Sequence, residues 1–134
     1  MLTDIDILSE PQLIPLWTTL GNYRENGVVT PYLKSKQFEN KFRIVSNIVS
    51  ERIYGKDINE MFSEYVGADD GHDDLADFII WHGMETTESF LIDPKTAIPL
   101  AKRMSKHEGF DGDINVIRRI IYDMPPLKKT QANW

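Results

Sequence analysis

Apolar residues along this chain recur every three or four positions, the spacing that lines side chains along one side of an α-helix. Phe38, Phe42, Val45, Val49 and Ile53, widened by Ile44 and Ile48, predict a helix from about Ser35 to Tyr54 that ends at Gly55 and forms the centre of the fold. Asp57 and Glu60 stand three apart in a capping-box pattern, and Ile58, Met61, Phe62, Tyr65 and Val66 continue at helical spacing to a stop at Gly67. After Gly71, Leu75, Phe78, Ile79 and His82 share a face. That helix is expected to end near Gly83, or to kink there and continue toward Ile92.

Weaker signals complete the series. Ser9-Glu10-Pro11-Gln12 resembles a capped start leading to Leu13, Leu16, Trp17 and Leu20, with Gly21 as the expected stop. Asp93-Pro94 reads as a turn, after which Thr96 is expected to cap a helix that carries Pro99 in its first turn, then Leu100, Ala101 and Met104, ending near Gly109. Asp111-Gly112-Asp113 caps a last helix with Val116, Ile117, Ile120, Ile121 and Met124, closed by Pro125-Pro126. Only Val28 to Leu33 looks extended, and it is too short to found a sheet. The expectation is an all-α bundle of about six helices in a single domain, with Phe42, Val45, Val49, Phe62, Phe78, Ile79, Ile117 and Ile120 in its core.

Length and composition agree with this. A chain of 134 residues has the commonest size for one domain and can bury roughly two-thirds of its unfolded surface in one core. The absence of cysteine excludes disulfides, thiolate metal sites and a cysteine nucleophile, and suits a bacterial or phage cytoplasm. The opening MLTDIDILSEPQ lacks the basic and continuously apolar regions of a secretory signal, and no apolar run nears the roughly 20 residues that span a bilayer. A cytoplasmic protein without membrane attachment is expected.

Charge is distributed far from evenly. Between Asp57 and Asp93 there are eleven acids and no lysine or arginine, whereas the preceding segment has seven basic residues against six acids and the following one eight against four. A net charge of −6 therefore conceals a strongly negative middle. Two arrangements are open. Lys102, Arg103, Lys106, Arg118 and Arg119 could fold back over the acidic helices, or a negative face could remain and attract a basic partner. For the second, the candidate contact residues are Asp69, Asp70, Asp73, Asp74 and Asp77. Direct nucleic-acid binding is not expected, since the basic residues are scattered and form no stripe with aromatics.

Candidate chemistry is sparse. His72, Asp73, Asp77, His82 and Glu85 are near one another in sequence, but no Glu-x-x-His of a di-metal bundle occurs, and Asp69-Asp70-Gly71 lacks the alternating ligands of a calcium loop. The three histidines have no nucleophile elbow beside them, and no glycine-rich phosphate loop is present. No metal, cofactor or catalytic residue is expected.

The stretch from Asp69 to Pro94 resembles the central block of an uncharacterised bacterial family, the domain of unknown function numbered 4240. That block has two acids and a glycine, an aromatic-rich helix, a glycine some twelve residues later and an Asp-Pro about ten residues beyond. Here these are Asp69-Asp70-Gly71, Leu75 to Ile80, Gly83 with Glu85 and Glu88, and Asp93-Pro94. His72, Leu75, Ala76 and Phe78 depart from the aromatic, aromatic, arginine and tryptophan usual at those positions. Outside the block only Trp17 matches, as a counterpart of an N-terminal tryptophan. The resemblance implies a helical domain and carries no activity.

The functional expectation is thus a small protein-binding module, an immunity or antitoxin protein or a phage-encoded inhibitor, whose acidic face docks on a basic toxin, nuclease or defence factor. The alternatives are a small metal-dependent or hydrolytic enzyme built on His82, Glu85 and neighbouring acids, and a self-associating structural domain. Treatment with a chelator is expected to leave the melting temperature unchanged, because a structural metal contributes directly to folding free energy. A fall of many degrees would bring His82 and Glu85 forward as ligands.

Overall fold

The structure, a computed structural model, describes residues 3–66 and 70–105, without the side chains of Lys56, Asp70, Asp73, Met104 and Ser105. Among the described residues the chain is helical, with no strand: α1 is Asp4–Leu8, α2 Ile14–Asn26, α3 Lys36–Ile53, α4 Lys56–Val66, α5 Asp70–Trp81, α6 Met84–Ile92 and α7 Ile98–Ser105. Short 3₁₀ turns at Pro11–Leu13 and Pro94–Ala97 precede α2 and α7. None of the described helices is long and apolar enough to cross a membrane. The expected final helix, with Ile117 and Ile120, lies outside the described residues.

The strongest periodicities correspond to helices close to where they were expected. Ser35 caps α3, its hydroxyl accepting the Phe38 N–H, and Phe38, Phe42, Val45, Val49 and Ile53 are buried. Of the expected core, Phe42, Val45, Val49, Phe62, Phe78 and Ile79 are fully buried. Helix α4 begins at Lys56, with the Asn59 N–H bonded to Gly55 O, so Asp57 lies in the first turn and is not the cap.

The weaker signals need correction. Helix α1 was not expected, yet Thr3 and Asp6 form a reciprocal capping box that starts it, and the Trp17 indole donates to Leu8 O at its end. Gly21 does not stop α2. The stop is Gly27, at φ 67°, whose N–H reaches Tyr23 O as the chain turns in the left-handed conformation that glycine adopts freely. Val28 to Leu33 forms no strand. It leads into a turn in which Leu33 N–H bonds to Thr30 O, and Leu33 is buried. Asp93, not Thr96, caps the segment before α7: its carboxylate accepts from Lys95 N–H, and the Thr96 hydroxyl donates back to Asp93 O.

Among the described residues the central helix is α5 and not α3. Every residue from Leu75 to Trp81 is buried, and α5 packs against α3, α4, α6 and α7. Phe62 of α4 and Phe90 of α6 meet at 6.2 Å between ring centres. Phe78 is enclosed where α5 meets α7, with Arg103 over its ring at 5.3 Å. Phe78→Ala is expected to cost about 3–5 kcal/mol in urea or thermal unfolding, the range for removing a large buried aromatic. A cost near zero would mean that α5 is not the core helix.

Candidate functional site

A helix buried on all sides must satisfy its polar groups inside the protein. Asp77, in the middle of α5, is 4% exposed and accepts a hydrogen bond from Ser46 of α3 at 3.0 Å. At the end of α5 the Trp81 carbonyl accepts from Arg24 of α2 at 2.6 Å, a cation placed at a helix C-terminus. Tyr23 meets the Trp81 ring edge-on at 5.7 Å, so adjacent residues of α2 hold both the backbone and the side chain of Trp81.

The chain then breaks at Gly83, whose φ of 106° and ψ of 177° belong to a region open essentially to glycine alone. A Cβ there would meet only the Arg24 side chain, at 3.7 Å, so the backbone conformation and not the space calls for glycine. Helix α6 restarts at once, with the Thr87 hydroxyl donating to Gly83 O at 2.8 Å.

These constraints redistribute the acids singled out from the sequence. Asp69 lies outside the described residues. Asp70 opens α5 and Asp73 sits in its first turns, with side chains outside the described set, and Asp74 is half-buried. Asp77 is removed from any surface: its carboxylate belongs to the α3–α5 interface, a placement that its spacing from Asp73 and Asp74 did not reveal. His82 and Glu85, three apart, are not on one continuous helix, because Gly83 separates them. The His82 ring turns to Phe78 and Arg103, whereas Glu85 is exposed. Among the described residues no group of three or more histidines and acids is placed to hold a metal ion. His72 is fully buried in the first turns of α5, against Tyr54 and Ser63.

The exposed acids are instead on α4. Asp57, Glu60 and Glu64, at i, i+3 and i+7, form a row facing solvent, opposite the buried Phe62 and the partly buried Ile58 and Tyr65. The ion pairs among the described residues are Arg24–Glu25, Lys36–Glu39 and Arg43–Glu39, and none includes this row. Glu39 shows the contrast: hydrogen bonds from Arg43 and Lys36 hold its carboxyl below the usual carboxylate range.

Helix α7 does fold back onto α4 and α5, but its charges go to aromatic faces. Lys102 lies over the Tyr65 ring at 6.0 Å and Arg103 over Phe78. Glu64 interacts with its own neighbour, and the hydrogen bond between them raises the Tyr65 phenol above its ordinary value. The row was legible as Asp57, Glu60 and Glu64 within the acidic segment.

Compared with family models, with curated proteins and with solved structures, the chain matches none. Arg24→Met, which keeps the aliphatic bulk and removes the donor to Trp81 O, is expected to cost about 1.5–3 kcal/mol in denaturant unfolding, as for a hydrogen bond from a charged group. A cost within a few tenths would show that the end of α5 does not depend on it.

Proposed function

We propose that this chain is a protein-binding module that docks an acidic face on a basic protein partner. The observation that carries the reading is the row Asp57, Glu60 and Glu64, exposed on α4 and outside the ion pairs of the described residues. Glu60 and Glu64, like charges four apart on a helix, destabilise it by about 0.2–0.5 kcal/mol. A row that weakens its own helix and has no ion-pair partner among the described side chains is suited to an external one. Asp69, Asp70, Asp73 and Asp74 would extend the negative field, while Asp77 takes no part.

The partner class that fits is a basic toxin, commonly a nuclease, or a defence factor. The chain would then be an immunity or antitoxin protein, or a phage-encoded inhibitor. Complementary charge acts mainly on encounter, and its reach shrinks from about 30 Å at 0.01 M salt to about 8 Å at 0.15 M.

Candidate partners are the proteins encoded beside its gene. With a partner that binds, Asp57→Asn, Glu60→Gln and Glu64→Gln together should slow association roughly tenfold or more at low salt and flatten its salt dependence. Folding stability should stay level or rise by a few tenths of a kcal/mol as the like charges are removed. Equal association rates for the wild type and the triple variant at both low and high salt would overturn the reading, as would the absence of any neighbour-encoded partner.

A further inference from the structure

His82, the residue following α5, is engaged at both ring nitrogens. Its Nδ1 lies 2.7 Å from the Phe78 backbone oxygen and its Nε2 lies 3.3 Å from a guanidinium nitrogen of Arg103 on α7. A carbonyl oxygen only accepts and a guanidinium only donates, so the two contacts together require a proton on Nδ1 and a lone pair on Nε2. The ring is neutral, in one tautomer. It stands edge-on to Phe78 at 4.7 Å between ring centres, and Arg103 covers the same phenyl ring at 5.3 Å. Phe78, His82 and Arg103 therefore interlock where α7 meets α5.

We propose that this set is a pH-sensitive clasp, which holds α7 on α5 while His82 is neutral and loosens when the ring takes a second proton. That proton occupies Nε2, removes the acceptor for Arg103 and sets an imidazolium against a guanidinium. Among the other charged groups described on the packed elements, Asp74 of α5, one turn before Phe78, and Glu88 of α6 are half-buried, and others are engaged elsewhere. Arg24 of α2 is bound to Trp81 O, Asp77 of α5 accepts from Ser46 of α3, and Lys102 of α7 lies over Tyr65. Glu85 of α6 and Glu60 and Glu64 of α4 face solvent. The sign follows from the acceptor role: the clasp is closed when the ring is neutral and is lost as pH falls through the histidine titration. Helix α7 also packs on α4 and on the Pro94–Ala97 turn, so its release is local and the remaining core is kept.

The test is amide hydrogen exchange of α7, corrected for intrinsic rates, at about pH 7.5 and about pH 5.5, the interval in which histidine alone among ordinary side chains changes charge. In the wild type, protection of α7 should fall roughly twofold to tenfold on acidification, as for the loss of one hydrogen bond. His82→Gln supplies an acceptor that does not titrate, and its α7 should stay protected at both values. Arg103→Gln removes the cation, and its α7 should be less protected at both values, with little pH dependence. The same acid response in the wild type and His82→Gln overturns the proposal. So does tighter protection of wild-type α7 in acid, because the ring would then be answering to a carboxylate instead of to Arg103.

Discussion

The constraint on which the fold depends is the burial of α5 on every side. From Leu75 to Trp81 it presents no face to water, so α3, α4, α6 and α7 are arranged by the need to cover it. A helix in this position gains hydrophobic stabilisation around its whole circumference, at roughly 25 cal/mol per Å² of apolar surface removed from water. It also has no solvent to satisfy its polar groups. The hydrogen bonds from Ser46 to Asp77 and from Arg24 to Trp81 O are the direct result.

The same burial sets where a function can reside. A central helix has little surface to offer, so acids placed there by sequence become internal, as Asp77 does, while a peripheral helix such as α4 exposes its polar row. The basic residues of α7 are engaged in the same way. Lys102 and Arg103 lie on the rings of Tyr65 and Phe78, and the negative potential of the middle segment is left to the surface. Among the described residues, charge imbalance in the sequence and packing order in the fold thus leave the acidic row of α4 at the surface, around an apolar middle.

Legibility in the sequence tracked the strength of the local signal. Helix α3 was readable because Ser35 caps it and its apolar residues keep strict spacing from Phe38 to Ile53. The all-α class followed from several such series. The centrality of α5 was harder to read, because a helix buried all round loses the one-sided pattern that marks a surface helix, and its opening acids suggested exposure. Gly21 misled because the apolar series Leu13, Leu16, Trp17 and Leu20 ends beside it, and only the backbone shows that the positive φ falls at Gly27. For the candidate site, the acidic segment was legible as charge, but the division of its members between interior and surface depends on contacts such as Ser46–Asp77, thirty-one residues apart.

The hydrogen bond from Arg24 to Trp81 O joins residues 57 apart in the chain. Closing a loop of that length costs more entropy than forming the neighbouring α3–α4 or α5–α6 pairs, although the cost grows only with the logarithm of length. The link from α2 to the open end of α5 is thus a long-range closure, whereas the pairs close in sequence are local. A fragment that starts after Asn26 would lack both the Arg24 donor and the Tyr23 ring that hold Trp81.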